Sequence, residues 1–494
     1  MQRQPDILLI VADCLRQQTL DSLRSASRLE GFDDLMDEGS HFKNAISPSS
    51  WSLPAHASLF TGLYPWEHGV VSDFTSLSNQ VDTISSRAQS AGYRTASFSA
   101  NPYVGQLSGL SRGFDTTRTG GFEDCYFRRP RALSQPLSLG QEALPERSYF
   151  GRLLRASNPS VIASSRRFSK KHPGVIDFAS RAWNTIRSGD STARYVSPWI
   201  EQQVNTWVRS SPRDIPILTF INLLDAHEPY LGPDGELGPI SQLLEQWRAN
   251  QWLLRHGNLV YGEPTDRTRS ILVKLYELAV RTVGTRVSEL VDAYVQARPR
   301  DSTIVILVGD HGQVFGEAGQ NLHGRGFADD LFRVPLFVSG PGIPHGDPPI
   351  TDVVSTKDVA NYLFDVLRAP RQLDSHFSKL KSATYSGGVA WALSGRPRVS
   401  GEPLNGNLQQ STMDDSVLVC YRRSDRIVFS RDGDSHEWLG LSCDHSTAPS
   451  MWRRIDTPHT KECEQAQEIG TAMDSIPVVP LDKALKRLIA WGYA

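Results

Sequence analysis

Four short, uninterrupted apolar runs constrain the fold of this 494-residue chain more than any other feature. They read DILLIVA at 6–12, IPILTFINLL at 215–224, TIVILV at 303–308 and VPLFVS at 334–339. Continuous runs rich in β-branched residues are typical of parallel strands that are buried on both faces. The segments between them include helical patterns at 81–91 and 270–297 and a further strand pattern at 93–99. Strands that alternate with helices predict an α/β fold with a mainly parallel central sheet flanked by helices.

The pattern of predicted strands and helices changes near residue 385, and this change predicts two structural units. Residues 1–385 form the α/β domain, and residues 386–494 form a smaller α+β subdomain with antiparallel strands. Within the smaller unit, residues 416–430 favour a hairpin that turns at Ser424 and Asp425, and residues 482–491 favour a terminal helix.

Charge is distributed unevenly along the chain. The net charge is only −2, which argues against a broad nucleic-acid-binding surface. Within a predicted insertion at 128–214, however, twelve Lys and Arg side chains stand against three acidic ones between Arg128 and Arg187. The favoured interpretation is a solvated insertion on the α/β core. The alternative is an electropositive rim that attracts an anionic substrate.

The cysteines and the lengths of the apolar runs indicate the compartment in which the protein is expected. The five cysteines are odd in number and never form a CxxC pair, which argues against a disulfide framework and a zinc ribbon. No apolar run is long enough for a signal-peptide core or a membrane span, so we expect a soluble, cytoplasmic protein. The oligomeric state cannot be read from these residues.

Acidic residues and histidines follow three of the predicted strands. They are Asp13 after the first run, Asp225 and His227 after the second, and Asp310, His311 and the later His323 after the third. Since ligands collect at the carboxyl ends of parallel strands, these side chains are expected to meet at one edge of the sheet. Asp13 alone could cap the next helix, and His227 alone could be an ordinary core histidine. The combination predicts a metal site, and carboxylates with imidazoles favour zinc or manganese over calcium.

A second segment, SWSLPAHASLFTGLYP at 50–65, contains hydroxyl groups where a packed helix would have a periodic apolar face. Ser52 could therefore be either a nucleophile or a helix N-cap.

The chain resembles the sulfatase family of the alkaline phosphatase superfamily. The motifs that carry the resemblance occur in the family's order over about residues 5–345, and they read DILLIVADCLR, SLPAHASLFTGLYPWEHGV, AGYRTASFSANPYV, LLDAHEPY and VILVGDHGQVFGEAGQNLHGRG. The resemblance implies an alkaline-phosphatase-like sandwich with a C-terminal subdomain. It also implies a hydrolase of sulfate or phosphate esters that acts on a small anionic substrate.

Residue by residue, the resemblance implies specific roles. Ser52 occupies the nucleophile position. The metal site is formed by Asp13, Ser52, Asp310 and His311. His227 and His323 match histidines that in relatives bind the substrate oxyanion or a second metal, and Asn101 falls in a substrate-binding segment. The proton donor to the leaving group is one of His56, His227 and His323.

Two departures from the family pattern indicate which branch of the family the chain resembles more. His56 stands where formylglycine-type sulfatases have Arg, and Cys14 stands where they have a second Asp. These changes weaken the case for a calcium-bound, formylglycine-dependent sulfatase. They favour the branch with an unmodified Ser or Thr nucleophile, which includes phosphoethanolamine transferases and related phosphoester enzymes. A phosphodiesterase or phosphotransferase and an inactive anion-binding member are the alternatives.

Overall fold

A computed structural model of the chain describes a main body and part of a second sheet. The described residues are 4–71, 75–101, 103–105, 108–119, 198–230, 245–246, 248–250, 252–253, 264–317, 321–324, 328–382, 389–393, 416–421, 425–430, 435–439 and 452–454. Most of the basic insertion and the terminal helix expected at 482–491 lie outside these ranges.

The main body is built around an eight-stranded sheet with the strand order β10-β2-β9-β6-β1-β5-β3-β4. Its strands are β1 (Asp6–Ala12), β2 (Gly39–Ile46), β3 (Arg94–Ser99), β4 (Thr116–Thr119), β5 (Ile217–Leu223), β6 (Thr303–Gly309), β9 (Arg333–Ser339) and β10 (Ile350–Ser355). A short antiparallel pair, β7 (Val314–Phe315) and β8 (Asn321–Leu322), lies outside it.

The direction of the strands confirms a mainly parallel sheet. In the middle, β1 pairs in parallel with β6 on one side and with β5 on the other. Parallel pairing also joins β5 to β3, β3 to β4 and β10 to β2. Only β9 runs against its neighbours β2 and β6. The carboxyl ends of β6, β1 and β5 therefore lie side by side at one edge of the sheet.

Helices cover both faces of this sheet. They are α1 (Gln17–Ala26), α2 (Phe32–Asp37), α3 (Ser52–Thr61), α4 (Pro65–His68), α5 (Ile84–Ser90), α6 (198–210), α7 (Asp266–Ala297), α8 (Asp329–Phe332), α9 (Asp358–Arg368) and α10 (Leu373–Ser382), with a 3₁₀ turn at Arg300–Ser302. None of the helices in the described ranges combines the length and apolar character that crossing a membrane requires.

The central strand β1 shows why the apolar runs are continuous. Leu8 and Ile10 pack into the cluster formed with α1, α6 and α7, whereas Ile7 and Leu9 pack into the cluster on the opposite face with α3 and α9. Because alternate side chains of a strand point to opposite faces, a strand covered on both faces needs apolar residues at every position.

The observed elements match the expected ones to within a few residues. The helix expected at 81–91 begins at Ile84, since the Thr83 hydroxyl accepts a hydrogen bond from the Ser86 amide (3.1 Å) and caps the first turn. The helix expected at 270–297 begins earlier, at Asp266, because Thr265 caps it in the same way.

The C-terminal region contains a five-stranded antiparallel sheet with the order β11-β12-β13-β14-β15. Its strands are β11 (Val389–Leu393), β12 (Ser416–Tyr421), β13 (Asp425–Ser430), β14 (Ser435–Leu439) and β15 (Trp452–Arg454). The antiparallel pairing of β12 with β13 confirms the expected hairpin, with Asp425 already in the second strand. The domain boundary at 385/386 stays a prediction.

Candidate active site

The edge where β6, β1 and β5 end carries the polar residues singled out by the sequence. Asp13 follows β1, Asp310 and His311 follow β6, and His227 lies four residues beyond β5. Asp13, Asp310 and His311 are all buried. Parallel pairing of these strands therefore brings together residues that are about 300 positions apart in the chain.

Asp310 is oriented by two backbone amides. Its Oδ1 accepts hydrogen bonds from the amide of Cys14 (3.1 Å) and from the amide of His311 (2.8 Å). Cys14 reaches this position with a left-handed backbone (φ 61°). The other oxygen, Oδ2, is buried and has no hydrogen-bond partner within the described structure. Burial and the nearby carboxylate of Asp13 raise the pKa of Asp310 well above its usual range.

Ser52 lies at the first position of α3, and Trp51 occupies the N-cap position. The Ser52 hydroxyl therefore does not cap the helix. Its Oγ is 3.1 Å from His311 Nε2 and 3.3 Å from Asp13 Oδ2. The nearest partners of the expected nucleophile are thus two of the expected metal ligands.

The hydrogen bonds of His311 fix its tautomer. Nδ1 lies 2.9 Å from the Gly312 carbonyl oxygen, to which it can only donate, so Nε2 has its lone pair directed at Ser52. Burial lowers the pKa of His311 to about 4, which keeps the ring neutral. A neutral imidazole whose second nitrogen is anchored by a carbonyl is the usual state of a metal ligand.

Asp13 is held by Asn101. The Asn101 amide donates to Asp13 Oδ2 over 2.7 Å, and both residues are buried. Burial opposes ionisation of Asp13, but the nearby histidines, His227 foremost, and the Asn101 hydrogen bond keep its pKa below the ordinary value. Asn101, which the resemblance places in a substrate-binding segment, thus contacts an expected metal ligand, and its contact with substrate stays a prediction.

His56 is fully buried one helical turn beyond Ser52. Its Nδ1 donates to the Ser52 carbonyl (2.8 Å), and its Nε2 accepts from the Asn222 amide (3.2 Å). Burial lowers the pKa of His56. With both ring nitrogens engaged, His56 fixes the first turn of α3 against β5, and this arrangement favours His227 or His323 as the proton donor.

His227 and His323 lie together beside Glu228, with their ring centroids 5.0 Å apart. Glu228 Oε2 is 3.7 Å from Nδ1 of each histidine. Burial opposes protonation of His227, but the carboxylates of Glu228 and Asp13 raise its pKa. The sequence reasoning missed Glu228, although its place inside LLDAHEPY could have revealed it.

Gln313 links these groups. Its Nε2 donates to Glu228 Oε2 (2.9 Å) and to the Tyr230 hydroxyl (2.7 Å), while its Oε1 lies 2.8 Å from His323 Nδ1. The sequence reasoning also missed this residue. Gln313 contacts Glu228, 85 positions earlier in the chain, and His323, 10 positions later, and no local pattern in the sequence indicates these contacts.

The donor set fits a divalent cation. Asp13 and His311 contact Ser52 Oγ. Asp310 Oδ2, which alone among the oxygens of the two aspartates has no hydrogen-bond partner in the described structure, lies 3.4 Å from His311 Nε2. The buried Asp13 carboxylate and the neutral His311 imidazole lie within hydrogen-bond range of the Ser52 hydroxyl, and the buried Asp310 carboxylate lies beside His311. Together they form a set of ligands whose negative charge a divalent cation would neutralise. The ion itself stays a prediction, with zinc or manganese favoured.

The sheet with this site at its carboxyl edge defines an alkaline-phosphatase-like α/β sandwich. Two family models match the chain: "Type I phosphodiesterase / nucleotide pyrophosphatase" over residues 7–107 and "Sulfatase" over residues 263–369. Each model covers less than half of the chain, and together they indicate a relationship to the sulfatase family of the alkaline phosphatase superfamily.

Individual relatives are distant. Choline-sulfatase of Rhizobium meliloti (strain 1021) is 22% identical over 346 residues, which cover 69% of this chain and 64% of the relative. The matched part is therefore less than two thirds of that protein's length.

Among solved structures, a phosphonate monoester hydrolase from Silicibacter pomeroyi superposes with a TM-score of 0.59 at 16% identity and covers 94% of both chains. A 2-O GAG sulfatase superposes with a TM-score of 0.57 at 14% identity, over 99% of this chain and 94% of the other. At this identity the structures show the shared fold.

Proposed function

We propose that this chain is a metal-dependent hydrolase of sulfate or phosphate esters in which Ser52 is the nucleophile. The observation that carries the proposal is the position of Ser52 Oγ, which lies at the start of α3 and 3.1–3.5 Å from His311 Nε2 and the Asp13 carboxylate. A structural hydroxyl at a helix start would cap the helix, and this one does not.

The residues of the site have different roles in the proposed reaction. Asp13, Asp310 and His311 would hold the cation, whose chemical contribution is to lower the pKa of the Ser52 hydroxyl and to offset developing negative charge. The first backbone amides of α3, which lack partners inside the helix, favour an anionic group at its N-terminus. His227 or His323 supplies the proton to the departing oxygen.

The proposal extends to a preference for phosphate esters over sulfate esters. An unmodified serine forms a seryl ester that water must cleave, and a phosphoseryl ester can be cleaved by attack at phosphorus. A sulfated serine lacks the gem-diol route through which a formylglycine hemiacetal expels sulfate. The phosphodiesterase family model spans the segment with Ser52 and Asn101, and it supports the same preference as well as the alternative of a phosphodiesterase.

Ser52 in protein from the native host is expected to be unmodified. We also expect aryl phosphate mono- or diesters to be turned over faster than the matching aryl sulfate. The intact mass of the peptide that contains Ser52 tests the first expectation, and paired assays with one aryl group test the second. An oxidised Ser52 together with a preference for sulfate would contradict the proposal and restore a formylglycine sulfatase.

Removal of the Asn101 side chain in Asn101→Ala is expected to lower kcat/KM about 10- to 100-fold, because Asp13 loses the donor that orients its carboxylate. Asn44→Ala is the control, since Asn44 bonds the Thr351 carbonyl on the far strands of the sheet. The measurement is kcat/KM with the best aryl ester, alongside the affinity for the activating metal. Equal values for Asn101→Ala and wild type would show that Asn101 has no role in orienting Asp13.

A further inference from the structure

Two aromatic side chains, Trp51 and Tyr103, lie beside the proposed nucleophile, and the proposed chemistry does not use them. Trp51 directly precedes Ser52, and Tyr103 follows Asn101 by two positions. Asn101 links Tyr103 to the site, because its Nδ2 donates to Asp13 while its Oδ1 accepts from the Tyr103 amide (2.9 Å). Trp51 and Tyr103 are called the aromatic pair below.

The rings of the aromatic pair are nearly perpendicular, with an interplanar angle of 86° and centroids 5.8 Å apart. Such an edge-to-face arrangement is a favourable geometry for two aromatic rings. Both side chains pack on the apolar cluster that joins the sheet to α3 and α9, but neither is fully buried. The core therefore fixes one side of the pair, and the exposed part is available to a ligand.

Trp51 also lies next to the segment that carries His323, a candidate proton donor. The Gly324 amide donates to the Ser50 carbonyl (2.7 Å), and a Cβ on Gly324 would lie 3.6 Å from Trp51 Cβ. The organic group of an ester that is bound between Ser52 and His323 would therefore lie close to Trp51.

The helix start gains little from a tryptophan at this position. Trp51 is the N-cap residue of α3 and has an extended backbone (φ −155°, ψ 160°), but its side chain makes no capping hydrogen bond. A Ser, Thr, Asp or Asn at an N-cap stabilises a helix by about 1 kcal/mol. The Trp51 Nε1 is also buried without a hydrogen-bond partner in the described part of the chain, which is a further cost. These costs indicate that the indole serves a contact outside α3.

We propose that Trp51 and Tyr103 bind the organic group of the ester and select flat aromatic leaving groups over saturated ones. This specificity rests on the proposed function, since it concerns the same site. Two perpendicular rings form a corner in which a third flat ring contacts one face and one edge, whereas a puckered ring fits neither closely. A quaternary ammonium group is typically held in a cage of aromatic faces, and a corner of two rings suits it less well.

The test uses the full-length protein and two esters that share one phosphoryl group. The leaving groups have similar acidity, one being a phenol and the other a fluorinated alkyl alcohol. Wild type is expected to have the higher kcat/KM for the phenyl ester, and in Trp51→Leu the ratio of the two values is expected to fall about 10-fold. Most of the change is expected in KM, because the reacting groups remain. The ratio does not depend on the fraction of folded enzyme, so a folding defect alone leaves it unchanged.

Three further variants isolate the effect of the rings. Tyr103→Leu is expected to lower the ratio in the same direction, and it provides the test if Trp51→Leu fails to fold. Trp51→Phe retains a flat ring and is expected to keep most of the preference. Trp199→Leu is the matched control, because Trp199 is also partly buried but packs on the cluster at the opposite face of the sheet. It is expected to keep the wild-type ratio.

Binding without turnover separates this specificity from the proposed function. Phenylphosphonate and cyclohexylphosphonate have rings of the same size and contain no ester bond, but only the phenyl ring is flat. Wild type is expected to bind phenylphosphonate about 5- to 10-fold more tightly than cyclohexylphosphonate, and Trp51→Leu is expected to lose this difference. Isothermal titration calorimetry measures both affinities.

A preference for the phenyl ester that is the same in wild type, Trp51→Leu and Tyr103→Leu would overturn the role of the aromatic pair and leave the hydrolase intact. Faster turnover of an ester of a quaternary ammonium alcohol than of the phenyl ester would overturn the selection of flat rings. A wild-type chain that hydrolyses neither ester, but whose preference for phenylphosphonate is lost in Trp51→Leu, would support the aromatic pair and remove the hydrolase.

Discussion

Ser52→Ala is expected to lower turnover by several orders of magnitude, because the substitution removes the hydroxyl oxygen that is proposed to form the covalent bond. KM is expected to change far less, since the start of α3 and the histidines that are proposed to bind the ester remain. The measurement is kcat and KM with the best aryl ester, alongside a thermal unfolding curve. Folding is expected to change by no more than about 1 kcal/mol, the net value of a typical hydrogen bond.

Ser58→Ala is the matched control for Ser52→Ala. Ser58 is a buried serine in the same helix, but its hydroxyl contacts His68 (3.0 Å) and not the site. It is expected to lose about as much stability as Ser52→Ala and to keep its turnover. If Ser52→Ala retained near-normal turnover of the best substrate, the covalent mechanism would be wrong.

Asp310→Asn is expected to lose the cation that is proposed to bind beside Ser52 and, with it, nearly all turnover. The amide keeps the size of the side chain but removes the charge that faces His311 and Ser52. Metal content per chain and kcat measure the two effects. Asp301→Asn is the control, because Asp301 is exposed at the opposite end of β6.

The same variant is expected to stabilise the metal-free protein. The pKa of Asp310 lies above its unfolded value, so ionisation costs stability as the pH rises past that value. Metal-free wild type should therefore lose stability between mildly acidic and neutral pH, and metal-free Asp310→Asn should lose less. Thermal unfolding in chelator across this pH range measures the difference.

Retention of the metal by Asp310→Asn would show that the cation is held elsewhere.

The sequence predicted the parallel core because strands buried on both faces carry an unmistakable apolar pattern. It did not predict β2, whose sequence GSHFKNAI mixes polar residues and glycine and becomes a strand only through pairing with β9 and β10. It also could not predict that β9 runs antiparallel, since a continuous apolar run has the same pattern in either direction.

The candidate site was predictable where residues directly follow strands. Asp13, Asp310 and His311 lie together as the strand-end argument requires, and Ser52 lies beside them. The roles of residues that act through others were not predictable. The bond between Asn222 and His56, for example, joins positions 166 residues apart, and only the folded sheet brings them together.

The parallel strands β6, β1 and β5 also determine when the site can form during folding. Its residues come from widely separated parts of the chain, and the pairing of β1 with β6 alone spans almost 300 residues. Contacts of such high sequence separation form late, after the loop-closure entropy has been overcome. A nascent chain that ends before residue 303 lacks β6. It contains Asp13, which lies beside Ser52, but it does not yet contain Asp310. Cation capture is therefore expected to be one of the last events of folding and to report completion of the sheet.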